Sequence, residues 1–174
     1  MQTSVFVGTS VDGYIARTDG ALDFLPADGG EPHGYAEFLA SVDVLVIGRH
    51  TYETVLTFDD WPYGSKRVVV LCSHPPDLVH VPGATIEAMS GSPADIVARL
   101  RSSGARHAYI DGGITVQRFL RAGLIDRITV TRVPVLIGQG IALFGSLPQD
   151  TRLRHIRTDV YASGLVKSEY AVLR

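Results

Sequence analysis

Residues 107–121 read His-Ala-Tyr-Ile-Asp-Gly-Gly-Ile-Thr-Val-Gln-Arg-Phe-Leu-Arg, and this stretch decides the fold. Its first five residues have the length and apolar centre of a buried strand. Gly112-Gly113 follows, and then Val116, Phe119 and Leu120 recur at helical spacing until Gly123 ends the run. A buried strand that turns through glycines into a helix is the repeating unit of an α/β sheet.

The same grammar extends upstream. Ser92-Pro93-Ala94-Asp95 supplies an N-cap, a proline at the first helical position and an acid at the third, with Ile96, Val97 and Leu100 as the apolar face and Gly104 as the stop. Residues 84–88, 67–72 and 43–48 read as strands, with helices over 35–42 and 49–55 flanking the last of them. Residues 4–9 make a central first strand, followed by a glycine-punctuated loop over 10–33, a length that usually signals function. Downstream the pattern changes: 126–135 and 165–173 alternate, 152–161 alternate in part, and Ala162-Ser163-Gly164 reads as a hairpin turn. Residues 1–174 are therefore expected to form one α/β domain, its mixed, mostly parallel sheet ending in antiparallel strands.

Composition excludes several functions. In 174 residues, 45% are hydrophobic and 20% charged, and the net charge of −2 gives no general attraction to nucleic acid or an anionic membrane. The one cysteine, Cys72, permits neither an intrachain disulfide nor a cysteine-based metal site. The histidines lack metal-type spacing, no serine sits in a G-x-S-x-G elbow, and Asp59-Asp60 reads as a solvated loop. The start, Met1-Gln2-Thr3-Ser4, has no signal-peptide pattern, and Val44–Ile47 is far too short to span a bilayer. The expectation is a cytoplasmic protein without a metal.

Ligands of open α/β sheets gather beyond the carboxyl ends of the strands, where helix N-termini point outward. Three strand ends have suitable residues. Gly48 allows close approach, Arg49 offers a fork for phosphate oxygens and Thr51 a hydroxyl. Ser73 and His74 could meet a second phosphate. Gly112, Gly113, Ile114 and Thr115 bring free N–H groups to a pyrophosphate with no Cβ in the way. Each also has a plainer reading, as a helix start, a polar turn before Pro75-Pro76 or a tight glycine turn.

Taken in order, these pieces resemble a known family. Ser10-Val11-Asp12-Gly13-Tyr14-Ile15-Ala16, Gly48-Arg49-His50-Thr51-Tyr52-Glu53, Val70-Leu71-Cys72-Ser73, Asp111-Gly112-Gly113 with Phe119-Leu120, and Pro134-Val135-Leu136-Ile137-Gly138-Gln139-Gly140 with Leu143-Phe144 cover nearly the whole chain. The chain is similar to the dihydrofolate reductase superfamily, most closely the C-terminal reductase domain of the riboflavin-biosynthesis protein. The resemblance implies a three-layer α/β/α fold and NADPH as hydride donor, with a 5-amino-6-(5-phosphoribosylamino)uracil reductase type of activity on a C=N or C=O bond. It puts Gly8, Ile15 and Ala16 beside the nicotinamide and Arg49 and Thr51 on the phosphates. Ser73 and His74 fall near the 2′-phosphate, and Gly112 to Thr115 at the pyrophosphate. It also suggests a homodimer.

The departures matter. Folate reductases carry an acid on the first helix, and the only acid here is Glu37, in imperfect register; Asp23-Phe24-Leu25 stands where that family has Pro-Trp. Dihydrofolate or another pteridine is thus a secondary reading. No deaminase zinc motif is present. For the proton, Asp12, Glu37 and a water ordered by Asp12 and Thr131 are the candidates, and Phe24, Phe38 and Trp61 are candidates for the substrate wall. A nucleotide-binding or regulatory protein without turnover is the alternative from another class, and a structural partner module a third.

Overall fold

The apolar runs become strands and helices where they lie in the sequence. In chain order the elements are β1 (Gln2–Ser10), β2 (Tyr14–Ala16), α1 (Tyr35–Ser41), β3 (Val44–Gly48), α2 (Arg49–Val55), β4 (Arg67–Leu71) and β5 (Thr85–Met89). They continue with α3 (Pro93–Ser102), β6 (His107–Asp111), α4 (Gly113–Arg121), β7 (Arg127–Val133), β8 (Ile141–Ala142), β9 (Leu153–Val160) and β10 (Val166–Val172). The computed structural model describes residues 1–26, 32–73 and 78–174.

Eight strands form one sheet in the order β5-β4-β3-β6-β1-β7-β10-β9. The first six in that order pair in parallel, and β10 then runs antiparallel to both β7 and β9. Parallel neighbours require crossovers, which the helices supply. Because successive residues of a strand face opposite sides, the core divides in two. Val44, Val46, Ala108 and Ile110 pack with Ile96 and Leu100 of α3 and with Val116 and Phe119 of α4. Leu45, Ile47 and Tyr109 pack on the other face with Tyr52 and Val55 of α2 and with Phe38 and Leu39 of α1. The result is the expected three-layer, dihydrofolate reductase-like α/β/α arrangement.

Local chemistry sets the boundaries. At α3 the Ser92 hydroxyl accepts the Asp95 N–H at 3.2 Å, and the Asp95 carboxylate accepts the Ser92 N–H at 3.0 Å. That reciprocal cap is worth about 1 kcal/mol. Gly164 adopts φ +87° and donates its N–H to the Tyr161 carbonyl at 2.9 Å, closing the expected hairpin between β9 and β10.

One expectation needs correction. Residues 10–33 are not wholly loop, because β2 lies within them and pairs antiparallel with β8 as a separate two-stranded sheet. Strands of three and two residues are too short to show a period, and their partner lies far along the chain. Asp12 ties the same segments, accepting N–H groups from Ile137 at 3.3 Å and Gly138 at 2.8 Å. Gln117 of α4 donates to the Ala142 carbonyl at 3.0 Å and so fixes β8 over the helix.

Candidate active site

A cleft of about 1160 Å³ opens beyond the carboxyl ends of β1, β3 and β6. The floor is where two helices begin beside each other, α2 after β3 and α4 after β6. Gly112 has φ +88°, and a Cβ there would run into the Thr51 hydroxyl. Conversely, a Cβ on Gly48 would stand 3.0 Å from the Thr115 hydroxyl. Each helix thus lays a threonine against the glycine turn of the other, and at Gly112 only glycine permits that approach. Among the described residues no side chain caps α4, which leaves its first-turn N–H groups without a capping acceptor. Cations stand close by: Arg49 and Arg118 both line the cleft. Arg49 donates from Nε to Glu53 Oε1 at 2.7 Å in an exposed pair.

Ile15 of β2 and Ile141 of β8 close over this floor. A Cβ on Gly113 would meet Ile15 Cδ1 at 3.1 Å and Ile141 Cγ2 at 3.3 Å. The two-stranded sheet therefore forms the roof at the point where α4 begins.

The other end of the cleft is aromatic. Phe6, Tyr35, Tyr63 and Tyr109 line it together with Leu25, whose Cδ2 would lie 3.0 Å from a Cβ on Gly8. Asp111 sits among them. Its Oδ1 accepts the Gly112 N–H at 2.7 Å, and its Oδ2 accepts the Tyr63 hydroxyl at 3.4 Å. Burial pushes this carboxyl up, and the hydrogen bonds from Gly112 and Tyr63 offset only part of that rise. Burial first, and then the Asp111 charge, also push Tyr35 and Tyr63 upward, so both phenols hold their protons.

The structure gathers Gly8, Ile15, Ala16, Gly48, Arg49, Thr51, Gly112, Gly113, Ile114 and Thr115 into this one cleft. Other residues singled out in the sequence lie outside its lining. Asp12 is exposed, and a hydrogen bond from Ser10 with those from Gly138 and Ile137 holds its carboxylate below the usual range. Glu37 is exposed on α1. Thr131 is buried beside Gly8 in the β1–β7 register, its hydroxyl without a hydrogen-bond partner among the described residues. Phe38 stacks on Phe6 at 4.9 Å and meets Tyr109 edge-on at 5.0 Å, which makes it core. Trp61 packs on Tyr63 at 5.2 Å, and Phe24 yields its place to Leu22 and Leu25. Ser73 is exposed, and His74 lies outside the described residues.

Asp111 and Tyr63 are the members that sequence reasoning passed over. An acid directly before two glycines at the end of an apolar strand was the available signal for the first. Among the described residues, no group of three or more His, Cys, Asp or Glu side chains is placed to hold a metal, and no helix is long and apolar enough to cross a membrane.

The sheet order and the cleft define a dihydrofolate reductase-like fold, and a dihydrofolate reductase from Enterococcus faecalis, complexed with NADP(H) and RAB-propyl, superposes with a TM-score of 0.68 at 16% identity over 99% of this chain and 97% of that one. Within that class the chain belongs to the RibD C-terminal domain family, whose model matches residues 3–167. A putative riboflavin biosynthesis protein from Shewanella sp. PV-4 has 39% identity and a TM-score of 0.88, with both chains fully covered. The uncharacterized protein YwjB of Bacillus subtilis is 34% identical over 156 residues, 88% of each chain.

Proposed function

We propose that this protein is an NADPH-dependent reductase that adds a hydride to a C=N or C=O bond of a small heterocycle, of the 5-amino-6-(5-phosphoribosylamino)uracil reductase type. The observation that carries this reading is the reciprocal packing of Thr51 on Gly112 and Thr115 on Gly48. It brings two helix starts, each preceded by a glycine, side by side on the floor, an arrangement suited to a pyrophosphate. When bound, NADPH supplies the hydride and leaves as NADP⁺. Gly112, Gly113, Ile114 and Thr115 would hold the pyrophosphate; Gly48, Arg49 and Thr51 would take the adenosine-side phosphates, with Ser73 beyond them. Gly8, Ile15 and Ala16 flank the nicotinamide. Phe6, Leu25 and Tyr35 place the acceptor ring and exclude water.

Asp111 supplies the proton. As carbon gains the hydride, the acceptor nitrogen or oxygen gains the Asp111 proton, and the carboxylate is reprotonated from solvent through Tyr63. A carboxyl raised by burial suits this role, because it keeps its proton to higher pH than an ordinary aspartate.

The same proposal includes a cytoplasmic homodimer. Its support is β9, an edge strand exposed along nearly its whole length, available to a second copy in sedimentation experiments.

Calorimetric titration tests the cofactor assignment. NADPH should bind tighter than NADH, and Arg49→Ala should weaken NADPH by roughly 10-fold or more, the size of a lost charge-assisted contact. Equal losses for both nucleotides would remove Arg49 from the 2′-phosphate.

A further inference from the structure

The sheet order sets the direction in which a dinucleotide lies. Strands β1, β6, β3, β4 and β5 stand side by side in that sequence. With the nicotinamide beside Gly8 on β1, and the pyrophosphate between Gly112 after β6 and Gly48 at the end of β3, the adenosine falls beyond β4 and β5. Two guanidinium groups border that region. Arg49 lies within electrostatic reach of Cys72, the residue after β4, whose N–H donates to the Met89 carbonyl of β5 at 3.1 Å. Arg118 comes from α4, and its Nη2 donates to the carbonyl of Gly91, two residues beyond β5, at 3.4 Å.

The two arginines are not equally available. Arg49 gives its Nε to Glu53 Oε1 at 2.7 Å, so an incoming anion competes with a carboxylate for it. Arg118 is exposed, its hydrogen bond is long and goes to a neutral carbonyl, and no acid among the described residues pairs with it. Asp95, which stands beside Gly91, is taken up by the Ser92 N–H and hydroxyl at 3.0 and 2.7 Å. Arg118 also stands at the right place along α4. Ile114 and Arg118 both line the cleft, and four residues separate them, so they share a helix face about 6 Å apart along the axis. A phosphate at the helix start and a 2′-phosphate across one ribose are separated by a span of that order.

We infer that Arg118 is a specificity-determining residue for the cofactor: its guanidinium meets the 2′-phosphate from α4, opposite Arg49 on α2. This rests on the reductase reading above and names the residue that completes its preference for NADPH. The 2′-phosphate displaces the Gly91 carbonyl from Arg118 and offers the planar fork two oxygens in its place. A nucleotide with a free 2′-hydroxyl leaves Arg118 where it is, on Gly91.

Fluorescence titration of the full chain with NADPH and with NADH tests the role. Arg118→Gln should weaken NADPH by about 10-fold, the size of one lost charge-assisted contact, and leave NADH almost unchanged. Arg118→Lys, which keeps the charge without the fork, should recover part of the NADPH affinity and none of the difference for NADH. A change in the ratio of the two affinities is something a merely structural role would not produce. Equal losses for both nucleotides, or no loss for NADPH, overturn the inference while wild-type binding of NADPH keeps the reductase reading intact. Failure of that reading shows separately, as wild-type protein that binds neither nucleotide, and takes the inference with it.

Discussion

The two ends of the cleft solve opposite problems with the same sheet. At the α2–α4 end, glycines withdraw their side chains so that backbone N–H groups and Arg49 can meet an anion; at the β1–β6 end, Phe6, Tyr35 and Tyr63 crowd in so that water is kept out. The first end is polar, with Arg49 and Arg118 beside the glycine turns. The second gains its chemistry from being enclosed, since burial is what raises Asp111. One residue joins them: the Gly112 N–H bonds to the Asp111 carboxylate, so the glycine turn of the floor also fixes the acid.

The largest test of this division is Asp111→Asn. It should lower kcat by ~10²–10⁴-fold, the usual contribution of a general acid, with NADPH affinity nearly unchanged. The pH profile carries the sign. Wild-type activity falls as pH rises through the elevated carboxyl pKa, because the proton is then lost, whereas the asparagine variant should show no such limb. A variant that keeps the limb moves the acid elsewhere.

Next comes Gly112→Ala. The methyl group meets the Thr51 hydroxyl in a backbone conformation that disfavours side chains, a strain of about 1–3 kcal/mol. Fluorescence titration should show NADPH binding weakened, and thermal unfolding should show a lower Tm. Unaltered affinity would separate the phosphate site from this turn. The smallest change is Glu53→Gln, which releases Arg49 from its exposed ion pair. Such pairs contribute about 0–1 kcal/mol, so NADPH should bind a few-fold tighter at most, and less so at high salt. Weaker binding would mean that Glu53 positions Arg49 rather than competing for it.

The polar end was the more legible in the sequence. A glycine next to an arginine or threonine at a strand end states its purpose locally, and Gly48, Arg49, Thr51 and Gly112–Thr115 all meet in the cleft. The helix caps and most strand bounds were legible for the same reason, as with Ser92-Pro93-Ala94-Asp95. The aromatic end was not. Whether Phe38 or Tyr35 faces the cavity depends on how α1 rests on β1 and β6, and a helical period does not say which ring becomes wall and which becomes core. Asp111 was hidden by the same dependence, because its raised proton affinity comes from burial, which depends on neighbours brought in by the sheet and the loop after α2.

The small sheet of β2 and β8 has a consequence for how the protein is made. Asp12 and Gly138, 126 residues apart, are bonded beside it, and Ile15 and Ile141 form the roof together. Closing so long a loop is entropically costly and kinetically slow, so this contact belongs among the last to form. A nascent chain on the ribosome can build β1 through α4, glycine turns included, before β8 has been synthesised. Until it has, the floor exists without its roof.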